Sequence, residues 1–369
     1  MADVKFPAPT GEYKVGTTTF SVIDESRFER LGNDPGTTKR RIAGRFYYPV
    51  LPEDAKDLPY AKVMSDVKAN ALAKTFHAPV KPDDKPETFC YQDAKPAGKF
   101  PFIIFSHGMG SYAESNHSMC IDLCSHGYTV LAVGHAYEAV ANEYEDGTVE
   151  YLEKNITKKV YQPYLKGSIE LLKLMYNKKL NNEQAYEKFN DFQNRYAGFI
   201  LDRLEERVKD IKFITDEAVK RFPDLISDPD NIGVYGHSIG GATAYCLCMT
   251  DDRIKAGINL DGMLCGHYEG MTMHKPFYQV SCDDAVTTQT RVVSNTDAPV
   301  YWSLFKNMRH QGFSDLKFII PIKAVTGKMA PDTMHGNLIK IQKSFFDRYI
   351  KGIDEDVWYP ENDEFKRRS

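Results

Sequence analysis

Gly236-His237-Ser238-Ile239-Gly240 has the residue types and spacing for nucleophilic chemistry. A serine with glycine two places before and two after it can sit on a turn too sharp for larger side chains. Taken alone, such a pentad arises by chance in roughly one chain in ten of this length. Its flanks make it specific. Ile232-Gly233-Val234-Tyr235 reads as a short buried strand, and residues 242–249 read as a helix. Strand, tight turn and helix form the setting in which a serine hydroxyl projects at a helix N-terminus, where the dipole favours developing negative charge.

A serine hydroxyl attacks poorly until a base takes its proton. The histidines downstream are His267, His274, His310 and His335. His310, read at the end of a helical pattern and the start of a loop, leaves room for an acid between itself and Ser238, in the order nucleophile, acid, base. Two places could supply that acid. Asp261 ends the apolar run Ile258-Asn259-Leu260, and Asp283 and Asp284 follow the run from Phe277 to Ser281. Both are expected strand ends, where sites in α/β folds are built, and order along the chain does not separate them. An oxyanion needs two preorganised backbone N–H donors. Ile239, directly after the nucleophile, supplies one. Met109 in His107-Gly108-Met109-Gly110 supplies the other, the glycines letting the backbone come close.

The elements that must position these groups alternate. Phe102-Ile103-Ile104-Phe105, residues 128–133, 232–235, 256–260 and 277–280 read as buried strands, with helical patterns at 114–125, 239–249, 297–309 and 336–350. That alternation predicts a mostly parallel sheet with helices on both faces. Residues 17–22 and 41–48 add β-structure, and residues 51–98 read as loops with one short helix near 62–74. From Tyr186 to Ala218, apolar residues recur at steps of three or four, which predicts a long amphipathic helix broken near Gly198. Residues 150–222 are accordingly expected to form an inserted helical cap within one domain spanning 1–369.

Composition narrows the function classes. The 369 residues carry a net charge of −4, which gives no basic excess for nucleic-acid binding. No apolar run approaches the ~18 residues of a membrane-spanning helix. There is no HExxH and no clustered ligand spacing, so neither a metal nor another cofactor is expected. The seven cysteines are scattered without a CxxC pair and are expected to be buried, reduced thiols. The N-terminal residues show no basic segment followed by an apolar one, so a cytoplasmic location is expected, although a removed leader would make the protein secreted.

Several stretches carry a family resemblance: Gly16-Thr17-Thr18-Thr19, Phe105-Ser106-His107-Gly108-Met109-Gly110, Ile121-Asp122-Leu123-Cys124-Ser125-His126-Gly127-Tyr128, Gly236 to Thr243, Leu260-Asp261-Gly262 and His310-Gln311-Gly312-Phe313-Ser314-Asp315. In these the chain resembles the monomeric platelet-activating factor acetylhydrolases, the plasma and type II intracellular group. The resemblance implies an α/β-hydrolase fold and places the acid in the Leu260-Asp261 pair. It also implies Ser238 as nucleophile, His310 as base, and Met109 and Ile239 as oxyanion donors, with Gly236, His237, Gly240, His107 and Gly108 as supports. The implied substrate is a phospholipid with a short or oxidised sn-2 acyl group. Residues 136–225 and 263–305 match poorly. Ile239 stands where the family usually has Phe or Leu, and Gly262-Met263-Leu264 stands where it has an aromatic residue. The middle insertion is longer and more charged than in the family. A carboxylesterase for soluble short-chain or aryl esters is the alternative expectation, and a non-catalytic binding protein of the same fold is a third. Contact with a lipid surface is compatible with the resemblance, and no nucleic-acid partner is expected.

Overall fold

The computed structural model describes residues 6–77, 87–175, 177, 179–268, 270–282, 286–320, 322–360 and 365–367. Two long strands, β1 (Lys14–Phe28) and β2 (Lys39–Val50), open the chain as an antiparallel pair. After α1 (Pro52–Ala55) and α2 (Asp66–Phe76), the short β3 (Cys90–Gln92) joins β1 in parallel at the sheet edge. The stretch read as loops with one helix therefore also contributes a strand. The alternating part follows: β4 (Phe102–Ser106), α3 (His117–Ser125), β5 (Thr129–His135), and a small hairpin of β6 (Ala141–Glu143) and β7 (Val149–Tyr151). The inserted helices are α4 (Ile156–Lys166), α5 (Ser168–Met175), α6 (Asn182–Tyr196) and α7 (Gly198–Arg221). The amphipathic stripe does break at Ala197-Gly198. The chain returns through β8 (Ile232–His237), α8 (Ile239–Thr250), β9 (Ile254–Leu260), β10 (Phe277–Cys282) and β11 (Val300–Phe305). It continues through α9 (Leu316–Ile319), α10 (Lys323–Thr326), α11 (Pro331–Tyr349) and β12 (Phe365–Arg367).

Ten strands form one sheet in the order β12-β11-β10-β9-β8-β4-β5-β2-β1-β3. Strands β5, β4, β8, β9, β10 and β11 run parallel, and β2 and β12 pair antiparallel at either side. This is the mostly parallel α/β architecture expected. One element corrects the sequence reading: residues 297–309 do not form a helix. Val300-Tyr301-Trp302-Ser303-Leu304-Phe305 is strand β11, parallel to β10. Its continuous apolar and aromatic run fits either period over so short a length. Pairing with β10 decides the outcome, and as a result His310 follows a strand rather than a helix.

The parallel strands bury both faces. Within β4, Phe102 and Ile104 pack into one cluster with Ile211 and Ile214 of α7 and Ala242 and Leu247 of α8. Ile103 and Phe105 point the other way, into a cluster with Met119 and Ile121 of α3 and Leu338 and Phe345 of α11. This period-two division over an uninterrupted apolar run is what a strand covered on both sides requires. All seven cysteines are buried and none is joined in a disulfide. Among the described residues, no helix is long and apolar enough to cross a membrane.

Candidate active site

Strands β4 and β8 are neighbours, and from β4 the chain leaves to β5 on one side and later returns to β8 on the other. Their C-terminal ends flank the point where the strand order reverses, the usual location for a ligand crevice in open α/β sheets. Ser238 follows β8 with φ 59° and ψ −128°, a left-handed backbone that costs a non-glycine residue roughly 1–3 kcal/mol. Its neighbours are glycine for steric reasons. A Cβ on Gly236 would lie 2.2 Å from the Gly240 carbonyl oxygen, and one on Gly240 would lie 2.0 Å from that of Ser106. The Ser238 N–H donates to the Leu260 carbonyl at 3.0 Å, tying the turn to the end of β9.

Asp261 is the first residue after β9, and His310 begins the turn beyond β11. The structure brings both to Ser238. His310 Nε2 lies 2.8 Å from Ser238 Oγ, and His310 Nδ1 lies 2.7 Å from Asp261 Oδ2. The His310 side chain is 41% exposed, whereas that of Asp261 is fully buried. Burial alone would raise the Asp261 carboxyl, but its hydrogen bonds to His310 and to Cys282 outweigh this and hold it below the usual carboxylate range. Asp261 Oδ1 accepts from the Cys282 N–H at 2.8 Å and from Gln289 Nε2 at 3.3 Å, and the Cys282 thiol donates to Oδ2. The other proposed acids, Asp283 and Asp284, lie outside the described residues. His274 pairs with Asp297, His267 lies 4.0 Å from Glu205, and His335 is buried beside Ser118.

Two further histidines support this array. Burial, with His310 alongside, pushes His237 down to about 3, so it is neutral. Its Nε2–H donates to the His310 carbonyl at 2.8 Å and so fixes the backbone that carries the His310 ring. His107 is likewise buried and held well below its ordinary value. A Cβ on Gly108 would stand 3.1 Å from His237 Nδ1 and 3.2 Å from Ser238 Cβ, so the His107-to-Gly110 loop presses directly on the turn. The N–H groups of Met109 and Ile239 have no hydrogen-bond acceptor among the described residues.

Some site residues escape a reading by motif. Asn259, a buried polar residue within β9, binds the Gly262 N–H and carbonyl and also Gln279, which shapes the turn that carries Asp261. A polar residue inside an apolar strand is a signal that could have identified it. Cys282 and Gln289 touch Asp261 from distant parts of the chain, and no local pattern announces them. The insertion also reaches the site. Met109 packs on the same apolar cluster as Val160 and Tyr164 of α4. Met263, two residues past Asp261, packs against a cluster of Leu174, Phe189 and Phe192.

Comparison with known proteins places this arrangement. A ferulic acid esterase from Streptomyces cinnamoneus has the same fold, with a TM-score of 0.74 at 22% identity, and each chain is covered in full. The chain is 32% identical over 170 residues to a platelet-activating factor acetylhydrolase of Bos taurus, covering 45% of this chain and 36% of that protein. It is 25% identical over 376 residues to one from Cavia porcellus, covering 95% and 80%. The matches to the cattle and dog proteins thus span little more than a third of those relatives' length. Residues 1–334 match the family described as platelet-activating factor acetylhydrolase, isoform II, and with nearly all of its length so matched the chain belongs to that family.

Proposed function

We propose that the chain is a serine-dependent carboxylic ester hydrolase acting on short-acyl esters, with platelet-activating-factor-like phospholipids as the natural class. The hydrogen-bonded chain from Ser238 Oγ through His310 to Asp261 is the observation that supports this most. In this reading Ser238 Oγ attacks the ester carbonyl carbon while its proton passes to His310 Nε2. Asp261 holds the Nδ1–H tautomer and stabilises the imidazolium. The carbonyl oxygen, now negative, accepts from the Met109 and Ile239 N–H groups, each worth about 10²–10³ in rate by analogy with measured oxyanion donors. The tetrahedral species collapses, the C–O bond to the leaving group breaks, and the departing alkoxide takes the proton from His310. A water molecule then repeats the sequence on the acyl-enzyme and releases the acid. No metal is needed, because the base, the acid and both donors belong to the chain.

A fluorophosphonate probe tests the serine mechanism. Stoichiometric labelling of the wild type that disappears in Ser238→Ala is expected, and an unlabelled wild type would reduce the protein to a binder. Comparing turnover of a phospholipid bearing a short sn-2 acyl group with that of a short-chain aryl ester tests the substrate class. A clear preference for the phospholipid, falling as the acyl chain lengthens, is expected. Indifference between the two would favour a general carboxylesterase.

A further inference from the structure

We propose that Arg207, through its ion pair with Glu138, is a positioning residue that aims the Met109 amide at the developing oxyanion. The inference rests on the reading of Met109 as an oxyanion donor. The Met109 N–H belongs to the same planar peptide as the Gly108 carbonyl, and in a trans peptide the two point in opposite directions. Whatever holds the Gly108 oxygen therefore aims the N–H. That oxygen accepts from His107 Nδ1 at 2.6 Å and from the Ser111 N–H at 3.2 Å. His107 can donate from Nδ1 because its Nε2 accepts from the His135 N–H.

The loop is gripped at both ends by one buried pair. On one side, Arg207 Nη1 donates to the His107 carbonyl. On the other, the Gly110 N–H donates to the Glu138 carbonyl at 2.8 Å. The two grips are joined, since Arg207 Nε donates to Glu138 Oε2 at 2.7 Å, and both side chains are fully buried. Stability alone gives a poor account of this pair. Burying an ion pair carries a desolvation cost that apolar residues of similar volume avoid. Here Arg207 Nη2 remains without a hydrogen-bond partner, which adds to that cost, while Glu138 Oε1 faces the Arg40 and Arg203 guanidinium groups at 3.9 and 3.8 Å without a hydrogen bond to either. What an apolar replacement could not provide is a donor to the His107 carbonyl. Arg207 lies on α7, so the inserted helices also supply part of the frame behind the reacting atoms.

The test uses the whole chain and an aryl acetate, with Arg207→Met and the near-isosteric Glu138→Gln. A trifluoromethyl ketone reports on the oxyanion site: Ser238 Oγ adds to its carbonyl carbon, the proton passes to His310, and the oxygen becomes the oxyanion. The corresponding secondary alcohol, which has no carbonyl carbon for Ser238 Oγ to attack, reports ground-state binding. For Arg207→Met, kcat is expected to fall roughly 10- to 100-fold, short of deleting a donor outright. KM and alcohol affinity should stay within about 2-fold, while trifluoromethyl ketone affinity falls in step with kcat. Fluorophosphonate labelling should still reach completion. Unchanged kcat in a folded Arg207→Met protein overturns the proposal. So does a loss that weakens the ketone and the alcohol alike. Should Arg207→Met fail to fold, Glu138→Gln decides: a smaller, correlated fall in kcat and ketone affinity supports the role, and wild-type values refute it. A wild type that the fluorophosphonate leaves unlabelled would instead overturn the serine mechanism itself.

Discussion

The turn around Ser238 and the helices α4 to α6 are built on different principles. In the turn, backbone meets backbone: a Cβ on Gly236 would meet the Gly240 carbonyl, and one on Gly240 would meet the Ser106 carbonyl. Each of these positions accepts one residue type. In the helices, side chain meets side chain: Leu174, Phe189 and Phe192 form a small cluster of their own, while Leu165 and Ile169 are 72% and 70% exposed. Many combinations of apolar residues would satisfy that packing. The proposed reaction thus falls to the part that tolerates least substitution, and the part beside it tolerates most.

Substitutions on both sides sharpen the contrast. Asp261→Asn should lower kcat by about 10⁴, the size of the corresponding loss in a serine protease, with little change in stability. A rate near wild type would remove Asp261 from the site. Gly240→Ala should cost about 4 kcal/mol or more, because the clash is with backbone that cannot swing aside. Gly198→Ala is its counterpart at the start of α7, where a Cβ meets open space. It should stabilise by up to about 1 kcal/mol. Equal thermal shifts for the two glycines would erase the contrast between turn and helices. Phe192→Ala should cost about 3 kcal/mol locally, exposing residues 156–196 to proteolysis and altering acyl-length preference. Aryl acetate turnover should stay within a few-fold, and a collapse of that turnover would show that the cap belongs to the rigid part. Ser238→Gly should give the smallest effect on stability: activity should be lost, but stability should rise by about 1 kcal/mol, because glycine accepts the φ of 59° without strain. Calorimetry beside the wild type measures it.

The same contrast explains what the sequence could and could not disclose. Where sterics dictate the residue, as at Gly236, Ser238 and Gly240, a local pattern was enough to read the geometry. The strand alternation was legible because buried parallel strands need uninterrupted apolar runs. Val300–Phe305 was misread as helix because six apolar-rich residues carry too few periods to distinguish the two, and only its partner β10 does so. The residues alone left the acid open between Asp261 and the Asp283-Asp284 pair, and resemblance narrowed it. Arg207, Glu138, Cys282 and Gln289 were invisible because each acts on a segment far away in sequence.

The seven thiols lead to a different use of this molecule. Burial raises those of Cys246, Cys248 and Cys265 to about 12, far from the thiolate form that reacts at neutral pH. The native protein should therefore be almost inert to alkylating reagents, while every opened molecule presents seven nucleophiles at once. Trapping by such a reagent turns rare openings into an accumulating mass shift, so the lifetime of the folded state can be timed without any substrate. It also means that heat damage in air should become permanent through random disulfides unless a reductant is present.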